Sequence, residues 1–235
     1  PPIVCSNTIQ REELKMTIDV ATGLARILKQ EGVEWVSTFP VCKVNNALGR
    51  EGVPMVMMRD DRYAVAVADA YSRITAGTKN GVCTFQGGVN AAGLQVAFAG
   101  MAQAFEDGSP VLCITDGIPA GATENSQFDV TAALKTVSKW YGHLDKPERL
   151  PEFMRRAFTM LRTGRPGPVV IAIPDSDARY DDASDPYVPV RGSKYAPDPS
   201  DVASAVDLLL EAENTLNYLS LIHISEPTRR YANSY

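Results

Sequence analysis

Two histidines and four cysteines are all that 235 residues offer to nucleophilic, redox or zinc chemistry. Cys83 and Cys113 fall inside apolar runs, Cys42 in a turn region and Cys5 in a polar leader. No pair has the spacing of a metal or redox motif, so reduced core thiols are expected. His143 precedes Asp145-Lys146-Pro147 in what reads as a surface turn, which leaves Ser-His-Asp and Cys-His arrangements without a well-placed base. Clusters of Lys and Arg are missing too, and the net charge is -5, which argues against a nucleic-acid surface. No apolar run is long enough to cross a bilayer, and the first residues lack the charged start and apolar centre of a signal peptide. The expectation is a cytoplasmic protein with neither a membrane nor a nucleic-acid partner. Gly-x-Gly-x-x-Gly and P-loop spacings are lacking, and no Asp/Glu/His spacing matches a metal site, so no metal is expected on this segment.

What is present is regular. Hydrophobic residues at 45% and charged residues at 22% suit a globular chain with ample core. Ile18, Ala21, Leu24, Ala25, Ile27 and Leu28 recur at helical spacing and Gly32 follows, which predicts a helix over residues 17–31. Strand-like runs recur at residues 35–39, 53–58, 81–85, 110–115 and 168–173, with helical stretches at 61–74, 93–105 and 149–161. The run 53–58, six apolar residues ending abruptly in charge, reads as a buried parallel strand. Strands alternating with helices of ten or more residues imply βαβ units. The expected class is α/β, a doubly wound, mainly parallel sheet with helices on both faces.

After Pro174 the chain turns polar and proline-rich, with Pro186, Pro189, Pro197 and Pro199, and residues 178–199 read as a linker. A helix follows, with Ser200 or Asp201 as its cap and Val202, Val206, Leu209 and Leu210 on one face. Residues 200–216 are read as the truncated start of a further domain. Residues 217–235 resemble the conceptual translation of a sequencing adapter and are expected to be an artefactual tail, while residues 1–15 read as a leader or read-through. The organised domain is thus assigned to residues 16–177.

Two segments carry chemistry. Asp61 stands where the run 53–58 gives way to Arg59-Asp60-Asp61-Arg62 and then to a helix of small residues. Ligands bind at the carboxyl ends of strands in open α/β sheets, and the first turn of a helix favours a carboxylate, so a catalytic acid and a helix cap both fit. The loop at residues 84–93 follows a strand and opens a second small-residue helix. Gly87, Gly88 and Gly93 would let its backbone approach a ligand closely, or simply pack tightly. Gln86, Gln95 and Gln127 are further polar candidates near a substrate or cofactor. A nucleotide-binding domain is a weaker alternative for the same pattern.

Taken in order, Arg59-Asp60-Asp61-Arg62, Ala68-Asp69-Ala70-Tyr71-Ser72-Arg73, the glycine loop, the segment from Ala99 to Val111, Ile114-Thr115-Asp116-Gly117, Val137-Ser138-Lys139-Trp140 and Thr163-Gly164-Arg165-Pro166-Gly167-Pro168-Val169 form a recognisable set. They resemble the amino-terminal pyrimidine-binding domain of thiamine diphosphate enzymes of the acetolactate synthase and 2-oxoacid decarboxylase group. In that family a glutamate at the end of the second strand hydrogen-bonds the cofactor's pyrimidine nitrogen and promotes its imino tautomer. Asp61 falls on that glutamate without a gap, shorter by one methylene, about 1.5 Å of reach. The resemblance implies Asp61 as the catalytic residue and Asp61, Pro40, Gly87, Gly88, Gly93 and Gln95 as cofactor contacts, with Gln86 and Gln127 toward the substrate. It further implies decarboxylation or carboligation of a 2-oxoacid by a longer parent that is a homodimer or homotetramer. Thiamine diphosphate and Mg2+ would be held partly by a Gly-Asp-Gly segment that this sequence does not contain, so the piece alone is expected to be inactive. FAD use in a middle domain stays open. The other reading of the resemblance is a non-catalytic relative serving assembly or regulation.

Overall fold

The computed structural model describes residues 17–122, 128–193 and 196–214. The expected leader at 1–15 and tail at 217–235 lie outside the described residues. In chain order the elements are β1 (Ile18–Asp19), α1 (Val20–Gln30), β2 (Val36–Thr38), α2 (Asn45–Arg50), β3 (Met55–Met57), α3 (Asp61–Ile74), β4 (Gly81–Phe85), α4 (Ala92–Glu106), β5 (Val111–Asp116), α5 (Val130–Thr136), β6 (Trp140–His143), α6 (Leu150–Arg162), β7 (Val169–Ile173), β8 (Arg179–Tyr180) and α7 (Pro199–Glu211).

Six strands form one sheet in the order β3-β2-β4-β5-β7-β6, every pair parallel. Strands that alternate their side chains between two covered faces must be apolar on both, and β4, β5 and β7 are buried throughout. One face packs against α1, α2 and α6 through Val36, Val82, Leu112, Ile114, Val169 and Ile171. The other packs against α3, α4 and α5 through Cys83, Phe85, Val111, Cys113 and Val170. The molecule is therefore the doubly wound α/β sheet that the alternation of elements predicts. β1 and β8 add a short antiparallel pair, and Tyr187 and Val190 from the proline-rich stretch pack on the first face.

Small residues set how close the layers come. A Cβ added to Gly81 would lie 1.9 Å from the Ala68 carbonyl oxygen, so α3 rests directly on the start of β4. Ser72 fixes the same contact, accepting from the Gly81 N–H at 2.7 Å and donating to the Pro110 carbonyl at 2.6 Å. Arg73, one residue on, donates twice to Asp69 at 2.9 Å and also reaches Asp107, tying α3 to the end of α4. Lys139 donates to the carbonyls of Met160 and Thr163, closing the end of α6.

The structure departs from the sequence reading in several places, beginning with the first helix, whose expected residues 18–19 form β1 with Asp19 as the cap of α1. The run 53–58 does form a parallel strand, but its paired part is three residues long at the sheet edge and exposed, with Val56 at 48% and Met57 at 64%. Six apolar residues cannot by themselves distinguish a central strand from an edge one. His143 ends β6 at the opposite edge rather than sitting in a turn, and is exposed. The cap of α7 is Asp198, which accepts from the Ser200 N–H at 2.8 Å, not Ser200 or Asp201. The short elements α2, α5 and β6 are absent from the sequence reading because none spans enough residues to show a period.

Replacing Gly81 by alanine should cost about 2–3 kcal/mol, because the methyl group must displace helix backbone rather than a flexible side chain. Urea denaturation of Gly81→Ala beside the unaltered chain measures this, and a loss below about 0.5 kcal/mol would mean that α3 yields easily.

Candidate functional site

The strand order reverses between β2 and β4: the chain steps from β2 outward to β3, then returns to the other side of β2. Such a switch point opens a crevice at the carboxyl ends of the two strands. Buried side chains hold its walls. Thr38 and Thr84 face each other with their hydroxyls 2.5 Å apart. Thr84 donates to Asn45 Oδ1 at 2.8 Å, and Asn45 Nδ2 donates to the Phe39 carbonyl at 2.8 Å. The loop after β2, which carries Pro40, is thereby fastened to the end of β4.

Asp61 lies beside this crevice, and its role at the helix start is now distinct. Asp60 is the cap of α3, its carboxylate accepting from the Tyr63 N–H at 2.8 Å. Asp61 is the first helical residue and only 5% exposed. Its side chain turns inward, and Oδ1 accepts from the backbone N–H of Gln86 at 2.9 Å. Burial is the main influence on this carboxyl and raises its pKa, outweighing the Gln86 hydrogen bond and the backbone N–H of Asp61 itself, which favour the charged form; the neighbouring Asp60 charge raises it further. A carboxyl that keeps its proton to a higher pH can present either a proton or a lone pair to a ring nitrogen.

The glycine loop is shaped to this acid. At Gly93, the second residue of α4, an added Cβ would lie 2.8 Å from Asp61 Oδ1 and 2.5 Å from Gln86 Cβ. Glycine is needed there for the close approach. Gly88 has a φ of +81° and donates its N–H to the Asp116 carbonyl at 2.8 Å. A Cβ on Gly87 would meet Thr115 Oγ1 at 2.2 Å. The loop therefore lies flat across the ends of β4 and β5.

Of the sequence candidates, the structure brings Asp61, Gln86 and Gly93 into one cluster, with Gly87 and Gly88 continuing it along the same loop. Gln86 contributes through its backbone. Pro40 is exposed on the neighbouring loop, and Gln95 is exposed on α4, its side chain without a hydrogen bond to this cluster among the described residues. Gln127 lies outside the described residues. Sequence reasoning missed the buried polar set of Thr38, Asn45 and Thr84, for which no local pattern exists. It named Asp116 only within a motif of the resemblance and gave it no role, although this residue, at the end of β5 and 8% exposed, ends an apolar run in charge just as Asp61 does.

Residues 18–136 match the family model described as the thiamine pyrophosphate enzyme N-terminal TPP binding domain. The chain belongs to the thiamine pyrophosphate enzyme family. Among curated relatives, a probable acetolactate synthase large subunit of Methanocaldococcus jannaschii is 31% identical over 160 residues, covering 66% of this chain and 26% of the relative. The glyoxylate carboligase of Escherichia coli O157:H7 is 30% identical over 196 residues, 80% of this chain and 32% of the relative. The acetolactate synthase large subunit of Parasynechococcus marenigrum is 31% identical over 222 residues, 86% of this chain and 35% of the relative. The chain thus spans about a third of the length of the curated relatives it matches.

The raised pKa of Asp61 sets the sign of a stability test. Below the unfolded pKa of about 3.9 the carboxyl is protonated in both states. As pH rises past that value the unfolded chain ionises while the folded one still holds its proton, and stability is lost up to the folded pKa. The melting temperature of Asp61→Asn minus that of the unaltered chain should therefore increase between pH 4 and pH 7, by about 1–4 °C. A flat or falling difference would show that Asp61 is ionised as readily in the fold as out of it.

Proposed function

We propose that this chain supplies the pyrimidine-binding half of a thiamine diphosphate site in an enzyme that decarboxylates or carboligates a 2-oxoacid. The observation that supports this most is the buried Asp61 carboxyl, fixed through Oδ1 by Gln86, with a glycine floor beside it. A flat heteroaromatic ring with one basic nitrogen fits that donor set. Bound there, the cofactor would supply a thiazolium able to stabilise a carbanion, which no protein side chain provides. Asp61 would hold or share a proton at the ring nitrogen, Gly93 would allow the ring to lie against α4, and the ends of β2 and β4 would exclude water.

The shorter side chain is compatible with this role because α3 starts inside the crevice, with Asp60 rather than Asp61 spent on capping. Names of the relatives favour carboligation, since both acetolactate synthase and glyoxylate carboligase appear among them. We further propose that Mg2+ and the diphosphate are held by a region outside this chain, contributed by a second subunit of a homodimer or homotetramer in the cytoplasm.

Assay of the complete protein with pyruvate or glyoxylate, thiamine diphosphate and Mg2+ tests the reading. Cofactor-dependent release of carbon dioxide is expected, reduced about 100-fold or more in Asp61→Asn and largely kept in Asp61→Glu. No cofactor binding at millimolar thiamine diphosphate would refute it. Intact assembly with no activity in any variant would instead place the protein among non-catalytic relatives.

A further inference from the structure

Asp116 is a second buried carboxyl at the same edge, and neither the family resemblance nor the Asp61 chemistry gives it work. It closes β5, so its backbone is fixed by pairing with Ile173 of β7. Its Oδ1 accepts from the Lys43 N–H at 3.2 Å, with the Cys42 thiol 4.0 Å away. Its own carbonyl accepts from the Gly88 N–H at 2.8 Å. One residue therefore grips both loops of the switch point, the one after β2 by its side chain and the one after β4 by its backbone. Between Phe39 and Asn45 the loop's other anchors are the Phe39 N–H to the Thr84 carbonyl, the Thr84 hydroxyl to Asn45 Oδ1, Asn45 to the Phe39 and Cys42 carbonyls, and the buried side chains of Cys42 and Val44. Within residues 40–43, Asp116 supplies the hydrogen bond that reaches the sheet among the described residues, beside the packing of the buried Cys42 side chain.

We infer that Asp116 is a positioning residue, a latch that holds the loop carrying Pro40, Cys42 and Lys43 at a set distance from the glycine loop fastened by Asp61. The inference rests on the proposed thiamine diphosphate site for its consequence, the width of the ring-binding crevice, but not for its geometry. A carboxylate acceptor strengthens the hydrogen bond it receives to roughly twice that of a neutral acceptor. Burial is the main influence on this carboxyl and raises its pKa, while the backbone N–H of Lys43 and the Lys43 charge favour the charged form that grips best. Loss of one such bond should change local opening, and ligand affinity at the crevice, about tenfold.

Two arms test this. Hydrogen exchange by mass spectrometry on the 235-residue chain compares Asp116→Ala, which removes the acceptor, with Asp116→Asn, which keeps one. Asp116→Ala should speed exchange over residues 40–46 about tenfold while residues 81–85 and 169–173 stay protected, and Asp116→Asn should restore most of the protection. In the complete protein, Asp116→Ala should raise the KM for thiamine diphosphate about tenfold with kcat within twofold. Unchanged exchange at 40–46, or faster exchange throughout the sheet, would overturn the latch. So would an unchanged KM with a lowered kcat. If the unaltered complete protein binds no cofactor, the proposed site fails, and the exchange result alone upholds or overturns the latch.

Discussion

A carboxyl taken out of water must be given hydrogen bonds or keep its proton, and the arrangement around Asp61 follows from that constraint. The Gln86 N–H satisfies one oxygen, and burial holds the proton longer than in solution. For the two to meet, α3 must begin inside the crevice, which requires Asp60 to take the capping position and release Asp61. The glycine loop must come within hydrogen-bond reach, which requires no side chain at Gly93. Each of these local choices is small, and each would fail without the others.

The parallel sheet supplies the fixed frame. Its central strands are buried on both faces, and α3 is seated on β4 at a backbone contact where even a methyl group does not fit. Ser72 and the Asp69–Arg73–Asp107 network lock that seat. Rigid elements place side chains more precisely than loops do. Here the acid is on the first residue of a long helix, and the loops that face it are pinned by Thr38, Asn45, Thr84 and Asp116 to strand ends.

Much of the fold was legible in the sequence because it depends on local periodicity. The bounds of α3 and β4 coincide with the expected ones, since small-residue helical spacing and a short apolar run ended by charge or glycine are unambiguous. β3 shows the limit: Met55, Val56 and Met57 pair as a parallel strand, yet nothing in the run reveals that, among the described residues, no strand lies beyond them in this sheet. At the site, Asp61 and Gly93 could be singled out from their place between strand and helix. The cap role of Asp60 could not, because two adjacent aspartates offer the same chemistry and only the helix start decides between them. Thr38, Asn45 and Thr84 meet only through tertiary structure, so no spacing could have joined them.

The central claim is that Asp61, through the oxygen left free by Gln86, contacts the pyrimidine nitrogen of thiamine diphosphate. A crystal structure of the complete protein with thiamine diphosphate and Mg2+ tests it most directly. The account predicts Asp61 Oδ2 within about 2.6–3.2 Å of the ring nitrogen, with Oδ1 still on the Gln86 N–H and the ring against Gly93. A pyrimidine ring bound elsewhere, or one whose nitrogen meets a different side chain while Asp61 stays turned away, would contradict it.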